Sequence, residues 1–389
     1  MILTLVETKF STVLELAKKI LSEYDLCDNC LGRLFSKQLH LKSNKLLGKK
    51  IHNKLKIKNI KCHICKNIFD IIPSYVIKMQ EATSEYIFKS FLVGTMLKSS
   101  FLDRDDHIRS QFKLKGIDGI KTSIAKELGK QFARKTKKRQ KIYEPEIVLT
   151  VDFKTESCES HSKSLYLFGR YTKCTRDFPQ KQKPCSNCLG KGCVTCKRHG
   201  ISEFDSVEGM ICKYIFEKFG AVQAKITWIG GEDASSLVLG NGRPFFVKLL
   251  NPKKRSHKLP KLITSDKIKI HSLKIIPDIP SGPIPFKSKT RLLISAENPI
   301  THQTLANLDS LNNTSIAIYD KSGKRTEKKI YSIKYLQNSE QSFTLELKID
   351  GGVPLKHFVS GDDIFPNISE LLTNRCKLEQ FDFDSVIIH

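Results

Sequence analysis

Apolar side chains at Val13, Leu14, Ala17, Ile20 and Leu21 recur at the three- and four-residue spacing of one helix face, so residues 10–24 predict an amphipathic helix. From about residue 70 the texture is mixed. Residues 86–97 contain the run Phe-Leu-Val-Gly-Thr, and the β-branched stretch 146–153 reads as a strand that follows a basic segment. Helical spacing returns over 207–219, and strand-like runs follow at 224–229 and 245–250. Further strands are predicted at 291–295, 315–319, 330–335 and 343–349, with the proline-containing connectors 251–262 and 277–285 interrupting regular structure. Strands and helices without strict βαβ alternation predict an α+β protein.

Composition narrows the function classes. A chain of 389 residues with 40% apolar content is long enough for two or three domains with real cores. Lys and Arg number 66 against 40 Asp and Glu, a net charge of +26 spread along the whole length, which points to a polyanionic partner. Solubility alone explains this less well, because acidic residues serve it equally. There is no run of 18 apolar residues, and the start, MILTLVETKF, has an early acidic residue and no small-residue cleavage site. The expectation is a cytoplasmic protein that neither spans a membrane nor is secreted.

The twelve cysteines then suggest metal rather than disulfides. Cys27 and Cys30 form one C-x-x-C and Cys62 and Cys65 another, with the lysine-rich, helix-like residues 31–61 between them, a spacing suited to one tetrahedral structural zinc. Cys185, Cys188, Cys193 and Cys196 read C-x-x-C-L-G-K-G-C-x-x-C, in which Gly190 and Gly192 let the loop fold back. Zinc is the favoured occupant there too, with an iron–sulfur cluster as the alternative, since thiolates serve both. Cys158, Cys174, Cys212 and Cys376 show no ligand spacing and read as core or surface thiols.

Two further segments carry candidate chemistry. Residues 230–245, GGEDASSLVLGNGRPF, set Glu232 and Asp233 in a small-residue turn after an apolar run, where Asp233 could act as a nucleophile or simply fill an acidic turn. The basic run Arg134, Lys135, Lys137, Lys138, Arg139 and Lys141 would face phosphate or form the solvated end of a helix. Tyr166, Phe168 and Tyr171 offer stacking faces to bases, although strand alternation favours a core role for them.

Residues 230–245 resemble the nucleophile segment of the Pus ten family of pseudouridine synthases, G-R-E-D-V-D-V-R-M-L-G-x-G-R-P-F, at Gly230, Glu232, Asp233, Leu239, Gly240, Gly242, Arg243, Pro244 and Phe245. The resemblance implies Asp233 as catalytic nucleophile. The two arginines of the family segment are replaced by Gly231 and Leu237, which leaves Arg243 as the candidate substrate-binding cation, with Lys248 or Arg291 as substitutes. Residues 27–35, CDNCLGRLF, resemble the family's amino-terminal knuckle, and the second cysteine group resembles one found in archaeal members. The α+β module formed by residues 86–97, the basic run 134–141 and the stretch 146–153, together with 165–171, LYLFGRY, resembles a THUMP domain, an RNA-binding module, in which Arg134, Lys137, Lys138 and Arg139 would meet RNA. Residues 351–372 look like another family segment. An aromatic substrate contact is replaced there by Pro354 and a stacking tyrosine elsewhere by Thr290, so either Phe245 or Tyr319 substitutes or the pocket is weakened.

The implied organisation is a zinc-bound helical module at 1–74, a THUMP-like domain at 75–175, and a catalytic domain at 176–389 that carries the knuckle 185–196. Its sheet would be mixed and largely antiparallel. The implied activity is isomerisation of uridine to pseudouridine at tRNA positions 54 and/or 55 in the TΨC arm, with structural zinc, no organic cofactor and tRNA as partner; the sequence does not say whether a protein partner takes part. The alternative is a tRNA-binding or chaperone relative that has lost turnover. A different THUMP enzyme, such as a methyltransferase, would need a phosphate-binding glycine loop, and Gly240-Asn241-Gly242 lacks the third glycine.

Overall fold

In the computed structural model, residues 2–37, 39, 43–57, 61–255 and 258–388 are described, residues 2–9 through their backbone alone. Parts of the lysine-rich segment 31–61 and residues 256–257 of the predicted connector therefore lie outside the described residues. The chain is α+β and forms two compact units, Met1–Lys163 and Ser164–His389.

The first unit begins with helices α1 (Ile2–Glu23), α2 (Asp28–Phe35), α3 (Asn44–Leu55) and α4 (Ile68–Ala82). The apolar face expected over 10–24 is the buried face of α1, with Val13, Ala17 and Ile20 inside. Helices α2 and α3 approach backbone to backbone, because a Cβ on Gly32 would stand 1.8 Å from Asn44 O and one on Gly48 1.9 Å from Asp28 O. There follow β1 (Ser90–Met96), α5 (Ser99–Gln111), α6 (Ile120–Thr136), β2 (Arg139–Gln140), β3 (Ile147–Asp152) and β4 (Ser157–Ser162), a sheet of order β2-β1-β3-β4.

One apolar core, running from Val13 to Val151, unites the cysteine-bearing helices with this sheet. A buried ion pair joins Arg33 on α2 to Asp105 on α5, and Arg33 Nη1 also donates to Asp118 O at 2.8 Å. The segments expected as separate modules at 1–74 and 75–175 are therefore packed as one body up to residue 163.

The second unit comprises β5 (Leu165–Lys173), α7 (Val207–Phe219), β6 (Gln223–Trp228), β7 (Val238–Leu250), β8 (Leu262–Thr264), β9 (Ile268–Ile276), β10 (Phe286–Ala296), α8 (His302–Leu305), β11 (Ser315–Tyr319), β12 (Arg325–Ser339), β13 (Ser342–Asp350), α9 (Leu355–Ser360), β14 (Ile364–Phe365), α10 (Ile368–Leu371) and β15 (Cys376–Ile388). Eleven strands form one sheet in the order β14-β11-β12-β13-β10-β15-β7-β5-β9-β8, with β6 pairing β7 off that path. Every pairing in it is antiparallel except β15 with β7, as a mixed, largely antiparallel sheet requires.

One assignment is corrected. The strand LYLFGRY does not join 147–152 in a THUMP sheet; as β5 it lies between β7 and β9, with Leu167 opposite Val247 and Ile275. Alternation announces a strand but not its partners, which here come from far along the chain. The boundary expected near residue 175 accordingly falls at Lys163/Ser164.

Candidate active site

Asp233 lies on the connection between β6 and β7. The chain leaves β6 through Gly230, whose φ of +75° suits glycine, and a Cβ there would meet Arg243 and Phe286, each at 2.7 Å. The two acidic residues then separate completely. Glu232 turns inward and is fully buried, while the Asp233 side chain is 42% exposed.

Glu232 anchors a polar cluster beneath the turn. Its Oε2 accepts from Tyr171 Oη at 2.9 Å and from Arg243 Nε at 3.2 Å, and its Oε1 faces Lys173 Nζ at 3.4 Å, in ion-pair rather than hydrogen-bond geometry. Lys173 and Arg243 are themselves fully buried. Lys173 Nζ donates to the carbonyls of Phe178 (2.9 Å), Asp233 (3.1 Å) and Ala234 (3.1 Å), while Arg243 Nη1 donates to Ile229 O at 2.8 Å. Burial and the neighbouring carboxylate raise the Tyr171 pKa well above its usual value. Burial lowers that of Lys173, an effect that Glu232 opposes.

One carboxylate thus organises two buried cations that grip the backbone on both sides of Asp233. Glu232→Ala would leave Lys173 and Arg243 without their counter-charge, and breaking such a buried pair costs about 3–5 kcal/mol. Urea unfolding of the sheet unit should show that loss, with Glu232→Gln milder because the amide keeps the shape; an unchanged midpoint for the alanine variant would contradict the anchoring role.

A second clamp holds the far end of the loop. Arg176 donates to Ser235 O at 2.6 Å and to both Asp382 oxygens at 2.8 Å, and Asp382 Oδ1 accepts from Leu237 N at 2.8 Å. Burial works against the Asp382 carboxylate, but the Arg176 fork and the Leu237 N–H outweigh it and keep its pKa below the usual value.

Above these clamps Asp233 opens onto a cleft of about 560 Å³ lined by Gly231, Pro354, Leu355, Lys356, Phe381 and Phe383, among others. Lys356 Nζ stands 2.7 Å from Asp233 Oδ2. With side chains 64% and 42% exposed, this pair contributes at most about 1 kcal/mol to stability.

The cations and aromatics named from the sequence lie elsewhere. Arg243, expected to face substrate, is buried on Glu232 with its guanidinium 4.1 Å from the centre of the Phe383 ring. Arg291 pairs with Asp384 and Glu346, and Lys248 stands over the Tyr166 ring. Phe245 is fully buried in the core, and Tyr319 sits on β11, with neither among the residues lining the cleft. The groups that do line it, Lys356 on α9 and Phe381 and Phe383 on β15, were missed. They come from segments far from Asp233 in sequence, and the weak signal available was the basic residue after Gly351-Gly352-Val353-Pro354-Leu355.

In the other unit, Arg134 and Lys135 close α6, Lys137 caps it at φ +60°, and Arg139 opens the edge strand β2. All four are exposed, whereas Lys138 lies partly over the Phe88 ring.

Both cysteine groups gather. The sulfurs of Cys27, Cys30, Cys62 and Cys65, and those of Cys185, Cys188, Cys193 and Cys196, lie within 4.8 Å of one another. A tetrahedron with metal–sulfur bonds of 2.3 Å has edges of roughly 3.8 Å. Cys27 to Cys65 measures 3.6 Å, Cys193 to Cys196 3.7 Å and Cys188 to Cys196 3.8 Å. Hydrogen bonds from Cys27, Cys30 and Cys65 drive the Cys62 thiol far down in pKa, while burial pushes Cys30 well up. A cation is what would let all four carry charge together. In the second group, N–H donation from Cys193 and Gly200 brings Cys196 down to about 6.

Among the described residues no helix is long and apolar enough to cross a membrane. The family model described as Pus10, C-terminal, matches residues 166–386, and that described as Pus10 THUMP domain, archaeal, matches residues 75–152. A protein of Nitrosopumilus maritimus named tRNA pseudouridine synthase Pus10 is 52% identical over 97% of this chain and 99% of its own. A protein of the same name from Cenarchaeum symbiosum is 36% identical over 94% of this chain and 90% of its own. Among solved structures, an archaeal box H/ACA sRNP Nop10-Cbf5 complex matches 45% of this chain and 42% of that one at 9% identity, with a TM-score of 0.27, too slight a likeness to carry an argument.

Proposed function

The chain belongs to the Pus10 family, and from that premise we propose that it is a tRNA pseudouridine synthase, an isomerase, in which Asp233 is the nucleophile. The observation that carries the reading is the Asp233–Lys356 pair on the wall of an aromatic-sided cleft, above a loop held by buried charge.

The carboxylate attacks uridine and the bond from N1 to C1′ breaks; the freed uracil turns, C5 joins C1′ as the bond to the carboxylate is released, and the proton lost from C5 is balanced by one taken up at N1. Nothing is oxidised and no organic cofactor is consumed. Lys356 pairs with the carboxylate at 2.7 Å and aims it into the cleft, the task left open by Gly231 and Leu237. A base drawn out of its stack needs a flat apolar wall, and Phe383, backed by Arg243, supplies one beside Phe381. Arg134, Lys137 and Arg139 contact tRNA phosphates from the THUMP side, with Lys138 at their margin, and the target is uridine 54 and/or 55. Both cysteine groups bind structural zinc, because sulfurs so close surround a single ion, whereas those of a multi-iron cluster stand apart around it.

Release of tritium from tRNA labelled at uridine C5 tests the reading. The parent protein should release it, and Lys356→Ala should lower kcat by about 10²–10³-fold, the usual cost of losing one electrostatic partner in an active site. Lys356→Arg should recover part of that. Full activity of the alanine variant would remove Lys356 from the mechanism, and a parent that binds tRNA without releasing tritium would sink the enzyme reading.

A further inference from the structure

The second cysteine group carries more charge than a structural staple requires. Lys181, Lys183, Lys191, Lys197 and Arg198 are all exposed, no acidic residue occurs from Phe178 to Ser202, and none of the five cations makes an ion pair among the described residues. The loop that bears them has a fixed shape. Gly192 N and Cys193 N donate to the sulfurs of Cys188 and Cys196 at 3.2 Å, and Gln223 Nε2 donates to Lys191 O at 3.1 Å. His199 stacks on Phe216 with ring centres 4.2 Å apart, while its Nδ1 lies 2.8 Å from Val222 O. The knuckle is thereby seated on α7 and on the first residues of β6.

Two features turn this seat into a candidate site. Strand β6 runs from Gln223, beside the knuckle, to Trp228, just before the Asp233 turn, so at about 3.3 Å per residue roughly 17 Å of strand links the knuckle to the segment that leads into that turn. A second basic element meets the same corner. Lys254, exposed, donates its backbone N–H to Phe219 O at 3.0 Å, and the Lys253 side chain packs against Gly220.

We propose that Lys191, Lys197 and Arg198, with Lys254 beside them, form a second phosphate-contacting edge that holds the RNA backbone of the substrate while its target uridine enters the Asp233 cleft. The assignment rests on the tRNA reading above. Unpaired cations on a rigid loop neutralise phosphates without reading sequence, and each phosphate so neutralised releases counterions. The strain-free alternative, an apolar contact through the exposed tips Leu189 and Val194, predicts no such salt signature.

The test is equilibrium binding of an unmodified tRNA transcript to the full chain between about 50 and 200 mM salt. Replacing Lys191, Lys197 and Arg198 together by Gln should flatten the slope of log affinity against log salt by about 2–3, with metal content and melting temperature unchanged. At saturating tRNA, kcat should be held while KM rises. An unchanged slope from a correctly metallated variant would overturn the proposal. So would affinity lost through Leu189→Ser with Val194→Ser while the glutamine variant keeps the parent slope. Binding is read without turnover, so a parent that shows the slope change but forms no pseudouridine would sink the catalytic reading and leave this one standing.

Discussion

Asp233→Asn is expected to lower single-turnover product formation by at least about 10⁴-fold, the scale on which loss of a nucleophile or its essential partner is felt, while tRNA affinity and the fold stay as they are. The separation of effects follows from the turn. The Asp233 carboxylate is partly exposed and its only ion partner is the exposed Lys356 among the described residues, so an amide of the same shape disturbs no buried contact. The parts that shape the loop, Glu232 with Lys173 and Arg243 and Asp382 with Arg176, all lie on other side chains. Undiminished product would remove Asp233 from the mechanism; lost binding together with lost product would make it a structural residue.

Cys62→Ser is expected to unfold the first unit. Cys62 and Cys65 sit in the turn before α4, Cys27 caps α2, and Cys30, Cys62 and Cys65 belong to the same core as α1 and the four-stranded sheet. Structural zinc contributes about 10–16 kcal/mol to peptides that fold around it, as much as or more than a domain's whole stability of about 5–15 kcal/mol. The parent should hold about two zinc ions per chain by elemental analysis, counting one for each cysteine group. Circular dichroism of the variant should show lost helix, whereas native helix content without metal at the first group would contradict the structural role. A brown parent with visible absorbance would contradict zinc at the second group.

The turn that carries Asp233 was legible because its signal is local: an apolar strand, a small-residue turn, then a strand. The same holds for α7, found where its spacing placed it, and for both cysteine groups. What escaped was pairing over distance. Strand β15, which brings Phe381, Asp382 and Phe383 to the site, breaks its alternation at register shifts opposite Lys289/Thr290 and Leu293/Ile294, so no clean period of two marks it. Strand β9 is interrupted in the same way around Ser272, held at φ +56°. Arg243 misled for a different reason. An arginine is usually at the surface, and only the β7 burial pattern, with Arg243 to Lys248 enclosed almost without a break, shows that here its charge belongs inside, on Glu232. Lys356 lay within a segment recognised for other features, but its pairing with Asp233 exists only once α9 has folded onto the sheet.

The most direct test is a single-turnover reaction of the purified protein with unmodified tRNA transcript, run beside Asp233→Asn and mapped by carbodiimide adducts and primer extension. Stops at uridine 54 or 55 with the parent and none with the variant are the predicted result. Tight binding of the transcript with no stop from either protein would contradict the account, leaving a tRNA-binding protein whose cleft performs no chemistry.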